Sequence, residues 1–138
     1  MKQRYLGIDY GSRKTGIAVS DPLNIIATAL TTIPMHDHPV EKILSFVEEY
    51  HVGTVVVGMP LNLKGEKGQK ALETEQFVTV LTSRLPCPVI TWDERFTTKM
   101  AHDTLRAMGI KKKVREKREN IDARAAAFIL QSFLDSKK

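Results

Sequence analysis

Cysteine is almost absent: Cys87 is the single one in the chain. No internal disulfide can form, and a reducing, cytoplasmic setting is expected. Long apolar runs are missing too. The longest, around Gly16 and Val55, are strand-sized, and a helical membrane span needs about 18 or more residues. The opening residues MKQRYLGIDYG contain no apolar stretch of the signal-peptide kind. There is no GxxxxGK[ST] phosphate loop, no internal repeat and no linker-like stretch. At 138 residues, one domain spanning 1–138 is expected. A chain of this size buries about two thirds of its unfolded surface, so its core needs no covalent staples.

Acidic charge is the scarcer sign. Lys and Arg number 21 against 16 Asp and Glu, a formal net charge of +5. The excess is concentrated in Ile110–Glu119, IKKKVREKRE, where six bases stand against two acids. Such a block suits a polyanionic partner, or a solvated loop.

The apolar pattern predicts three short strands at Tyr5–Tyr10, Thr15–Ser20 and Ile25–Ile33, joined by the GSRKTG and SDPLN turns. Pro39 suits a first helical position, with Asp37 or His38 as cap. Val40, Ile43, Leu44 and Val47 then follow helical spacing, and Gly53 ends the segment. Thr54–Gly58 reads as a buried parallel strand. A Gly- and Lys-rich loop follows at Pro60–Lys70. The next helix buries Phe77, Val80 and Leu81, and Val89–Trp92 is a fifth strand. A helix capped by Thr97 or Thr98 carries Ala101, Leu105 and Met108 on one face and stops at Gly109. A last helix, Ile121–Leu134, turns Ala125, Phe128 and Ile129 inward. The order β-β-β-α-β-α-β-α-α predicts an α/β fold. Its sheet is mixed and five-stranded, an antiparallel meander plus two parallel strands, with helices on both faces.

Acids interrupt this apolar framework at three places. Asp9 lies at the end of the first strand, Asp93 and Glu94 at the end of the fifth, and Asp122 in the first turn of the last helix. Asp122 shares a helical row with Ala126, Ile129 and Phe133, bordering the buried face. A lone charge there is costly without a partner. Three converging carboxylates repel one another unless cations lie between them. Mg²⁺ favours oxygen ligands of this kind, and two divalent ions about 4 Å apart can promote phosphodiester cleavage. The plainer alternatives are that Asp9 bonds turn amides and that Asp122 complements a helix N-terminus. Of Asp93 and Glu94, only one can face such a site, because neighbouring strand residues point to opposite faces. The longer Glu94 is the better reach, leaving Asp93 to nearby amides or Arg95. His36 and His38 read as surface residues of a capping loop, and His51 and His102 offer nothing specific.

Four motifs in order, GIDYGSRKTGIAVSD at Gly7–Asp21, VVGMPLNLKG at Val56–Gly65, WDERFTT at Trp92–Thr98 and NIDARAAAFIL at Asn120–Leu130, resemble the YqgF family, also called RuvX, the Holliday-junction-resolvase-like proteins. The resemblance implies a ribonuclease H-like fold. It implies a nuclease, using Mg²⁺ or Mn²⁺ and two ions with substrate bound, whose metal-binding and catalytic acids are Asp9, Glu94 and Asp122. It also implies 5′-end maturation of precursor 16S ribosomal RNA, with the small ribosomal subunit as a candidate partner. An older reading of the family is a resolvase of four-way DNA junctions. Candidate nucleic-acid contacts are Arg13 and Lys14 on the first turn, Lys64 and Lys67 in the loop, and Lys111, Lys112, Lys113, Arg115 and Arg118 in the basic block. A membrane partner is not expected, and the oligomeric state is left between monomer and weak homodimer. Two rival readings remain open. DYGSRKTG also resembles the phosphate-binding hairpin of actin-like and sugar-kinase ATPases, which close two such domains on a nucleotide. A basic module could instead bind ribosomal RNA without chemistry.

Overall fold

The computed structural model describes residues 3–62, 64–95 and 118–137, with the side chains of 118–122 outside the description. The elements are β1 (Arg4–Asp9), β2 (Lys14–Ser20), β3 (Ala27–Pro34), α1 (Pro39–Glu49), β4 (Val52–Met59), α2 (Gln69–Arg84), β5 (Val89–Asp93) and α3 (Arg118–Ser136). They build one five-stranded sheet in the order β3-β2-β1-β4-β5. β1 pairs antiparallel with β2, and β2 with β3, while β1–β4 and β4–β5 are parallel. β1 is therefore central, and β4 separates it from β5.

The two-residue period of strands sorts the core into two layers. Leu6, Ile8, Ile17, Val55 and Val57 face α1 and α2, where Ile43, Val47, Phe77 and Leu81 close over them. Ala18 and Val56 face the other way, against Ala126, Ile129, Leu130 and Phe133 of α3. Helix α3 lies very close to the sheet. A Cβ added at Gly7 of β1 would stand 2.7 Å from Leu130 Cβ and 3.0 Å from the Ala126 carbonyl oxygen. Small residues in the middle of the sheet thus let the helix settle onto it. Its C-terminal half is fixed by Trp92 Nε1, which donates to Ser132 Oγ at 3.0 Å, and by Tyr5 and Trp92 rings packed edge-on to Phe133.

Several boundaries differ from the sequence reading. β3 starts at Ala27, because the Asp21 carboxylate accepts the amides of Leu23, Ile25 and Ile26 and keeps the two isoleucines in the turn. Neither Asp37 nor His38 caps α1: Asp37 pairs with Lys42, and His38 sits at φ 51 with no side-chain cap bond. Gly53 lies inside β4 rather than closing the helix. Val80 is exposed, and Ala125 and Phe128 are only half-buried, since α3 meets the sheet through Ala126 and Leu130 instead. Helix α3 begins at Arg118, within the basic block, which moves Asp122 from the first turn to the second. The helix expected between Thr97 and Gly109 lies outside the described residues.

Candidate active site

The parallel strands β1, β4 and β5 all end at one edge of the sheet. In open α/β sheets this carboxyl end is where ligands bind. Asp9 is the last residue of β1, and Glu94 follows β5 directly. Strand parity puts Asp9 on the same face as Gly7, and Glu94 on the same face as Trp92, so both acids belong to the α3 side. Asp93 belongs to the opposite face. It helps line a cavity of about 480 Å³ between β5, α2 and the loop after β4, together with Thr91, Met59 and Val78.

β4 lies between the two acids, and its residue at that point is Gly58. The Glu94 side chain crosses directly over it: a Cβ on Gly58 would stand 2.9 Å from Glu94 Cγ, 3.1 Å from Cδ and 2.6 Å from Ile129 Cδ1. Gly58 has no positive φ, so it is needed for space, not for backbone freedom. Across this gap Glu94 reaches Asp9, and the two carboxyls share a hydrogen bond. Burial pushes the Glu94 carboxyl up to about 7, and the neighbouring Asp9 charge adds to the rise, with Lys70 opposing it. Two acids in contact cannot both ionise cheaply, which is why the neighbouring Asp9 charge raises Glu94 further.

The third acid is placed by backbone alone. Helix α3 runs antiparallel to β1, with Phe133 at Tyr5 and Ala126 at Gly7. Position 122 is one turn N-terminal of Ala126 on the same row. One helical turn is about 5.4 Å, close to the two strand residues, about 6.6 Å, that separate Gly7 from Asp9. The backbone at 122 therefore lies at the Asp9 end of the sheet. Among the described residues no three acid, His or Cys side chains gather as a metal site, and the side chain of Asp122 is outside them.

The basic candidates divide. Arg13 sits exposed on the β1–β2 turn and Lys14 opens β2, both at the same edge as the acids. Lys64 is exposed in the loop after β4, while Lys67 makes an ion pair with Glu75 at 2.9 Å. Lys111, Lys112, Lys113 and Arg115 lie outside the described residues, and Arg118 is described by its helical backbone only. Sequence reading missed Lys70. It stands in the first turn of α2, near enough to lower the Glu94 titration, and a loop of several lysines offered no signal to single it out. Gly58 was missed as well, because a glycine in a strand reveals a close approach only once its neighbours are known.

The RuvX family model, described as a Holliday junction resolvase, matches residues 3–136. The chain belongs to the RuvX family. A relative from Acetivibrio thermocellus, provisionally named a pre-16S rRNA nuclease, is 46% identical over 97% of this chain and 96% of its own length. One from Bacteroides fragilis with the same name is 41% identical over 98% of both chains. Among solved structures, Thermus thermophilus RuvC in complex with a Holliday junction matches with a TM-score of 0.60 at 15% identity, over 98% of this chain and 95% of that one. The fowlpox virus resolvase, also solved with junction DNA, matches with a TM-score of 0.59 at 10% identity, over 98% and 99%. The fold is thus the ribonuclease H-like fold of the resolvases, and this RuvX-family protein is a nuclease. No described helix is long and apolar enough to cross a membrane.

Proposed function

We propose that this RuvX-family nuclease cleaves phosphodiester bonds with divalent ions held by Asp9, Glu94 and Asp122, and that it matures the 5′ end of precursor 16S ribosomal RNA in the cytoplasm. The observation that carries the reading is the Asp9–Glu94 pair, brought into contact across Gly58 at the carboxyl end of the sheet. The donor set fits Mg²⁺ or Mn²⁺. All its atoms are carboxylate oxygens, and a cation between Asp9 and Glu94 would relieve the repulsion that raises the Glu94 carboxyl. When bound, such ions activate water and stabilise the leaving oxygen of an in-line displacement.

The chain's own residues supply the rest. Asp9 at the end of β1 and Glu94 just after β5 would hold the ions between them. Ile129 and the α3 face close the site from below and keep water off that side. Lys70, Lys64 and the Arg13–Lys14 turn stand at the same edge to meet backbone phosphates, and the basic block adds charge of the same sign. An acid pair at the heart of the site argues against a module that only binds RNA, since carboxylates repel phosphate unless a cation intervenes. The names of the relatives favour ribosomal RNA. A four-way DNA junction is the second substrate reading, favoured by the family description.

The experiment sets purified protein with Mg²⁺ or Mn²⁺ on precursor 16S RNA and on a four-way junction, side by side, and repeats both with Asp9→Asn. Divalent-dependent trimming of the RNA that Asp9→Asn loses by about a hundredfold or more, with normal melting, is expected. Parental rates in Asp9→Asn would refute the metal assignment, and junction cleavage without RNA trimming would transfer the function to DNA.

A further inference from the structure

Glu94 is the first residue beyond the paired part of β5, whose last partner pair is Met59 with Asp93. The pairing reaches as far as its amide and stops there. Arg95 follows Glu94 directly and folds back onto Asp93. The Arg95 amide donates to Asp93 Oδ1 at 2.9 Å, and Nε of the same residue donates to Asp93 Oδ2 at 2.8 Å, closing a fork on the carboxylate from the face opposite Glu94.

The same guanidinium meets a second element. Gly65, at φ +82, lies so close that an added Cβ would be 3.4 Å from Arg95 Nη1 and 3.6 Å from Nη2. Gly65 is the tight point of a small hairpin bridged at Leu61 and Lys67. Asn62 organises this hairpin: its side-chain oxygen accepts the amides of Lys64 at 2.9 Å and Glu66 at 2.8 Å, and its carbonyl accepts that of Gly65. The hairpin is thus held together by its own hydrogen bonds, and at Gly65 it meets the residue that follows Glu94.

We propose that Arg95 is a positioning residue: clamped by Asp93 and seated against Gly65, its guanidinium locks the 61–67 hairpin to the end of β5 and so holds Glu94 over Gly58, toward Asp9. The inference rests on the reading of Glu94 as a metal ligand. Its structural half, the coupling of hairpin to strand end, can be tested without it. A guanidinium is suited to the task because its planar fork takes two carboxylate bonds at once while its face stacks on a glycine; a lysine ammonium cannot do both.

The test uses the full chain with Arg95→Ala, Arg95→Lys and Gly65→Ala, which strains the hairpin from the other side. Amide hydrogen exchange is read at Lys64 and Glu66, and cleavage is followed against Mg²⁺ concentration and ionic strength. All three variants are expected to speed exchange at those two amides at least tenfold while β1 and β4 stay protected. They should lower kcat by about ten- to a hundredfold, the scale of an ångström-sized misplacement, and raise the Mg²⁺ concentration for half activity, with KM and salt slope little changed. Arg95→Lys restoring parental values would make Arg95 a simple cation and overturn the proposal. So would a salt slope lowered by about one, the mark of one phosphate no longer neutralised, or unchanged exchange in the hairpin. If the parental protein fails to cleave, the proposed function falls, and the exchange data still decide the coupling.

Discussion

A single methyl group at Gly58 should separate catalysis from stability. In Gly58→Ala the new Cβ meets Ile129 Cδ1 at 2.6 Å and Glu94 Cγ at 2.9 Å, both closer than real Cβ contacts allow. One neighbour must move. Ile129 is buried in the α3 layer at 1% exposure, among Val56, Ala126 and Phe133; Glu94 lies at the margin of the sheet and is the easier to displace. Overpacking of this kind costs about 1–3 kcal/mol. With an unfolding entropy of about 2.1 cal/mol/K per residue over 138 residues, or about 0.3 kcal/mol/K, the midpoint should fall by about 3–10 °C. Moving the Glu94 carboxyl off Asp9 by about an ångström should cost about a hundredfold in cleavage. Adding Ile129→Val removes Cδ1 and relieves the larger clash, so it should recover melting temperature but not activity. The assay pairs thermal melting with divalent-dependent cleavage of precursor 16S RNA. Cleavage at the parental rate in Gly58→Ala, or its rescue by Ile129→Val, would refute the placement of Glu94 over Gly58.

The raised Glu94 titration predicts a pH dependence of definite sign. The carboxyl binds its proton more tightly folded, at about 7, than at its ordinary 4.5, so the metal-free protein should lose stability as pH climbs through that window, and Glu94→Gln should flatten the trend in melting curves. Over the same window Mn²⁺ binding, read by calorimetry, should strengthen with pH and level off above about 7, because the ion displaces the proton. Gly7→Ala should lower stability without the option of a side-chain escape, since its Cβ would meet the Ala126 carbonyl oxygen at 3.0 Å and push α3 outward; a midpoint within about 2 °C of the parent would contradict that packing. Changing Lys111, Lys112 and Lys113 together to Ala should weaken binding of all RNA sequences alike and lower the salt slope by up to about three, one for each phosphate left without its lysine; an unchanged slope would make the block a solvated segment.

Much of this architecture is local enough to be read from residue order. The short apolar runs at Leu6–Ile8, Gly16–Ser20 and Val55–Val57 predict strands, and the spacing of Ile43 and Val47 predicts α1, because strand pleat and helical repeat are properties of the backbone itself. The carboxylates at strand ends were legible for the same reason: an acid closing an apolar run has few cheap explanations. Ile25 and Ile26 misled, since their β-branched shape suits a strand while the Asp21 carboxylate, four and five residues back, draws their amides into a turn.

What residue order determined was that Asp93 and Glu94 must face opposite ways. It could not determine which of them shares a face with Asp9, because both sheet faces carry helices and both positions look alike in sequence. Tertiary packing decided that. Helix α3 lies on Gly7, Ala18 and Val56, which makes that face the one shared by Asp9 and Glu94, and Gly58 in the intervening strand leaves the gap across which they touch. The contact joins residues 85 positions apart through a third strand. It exists only when β4 is inserted between β1 and β5, and no local propensity encodes that insertion.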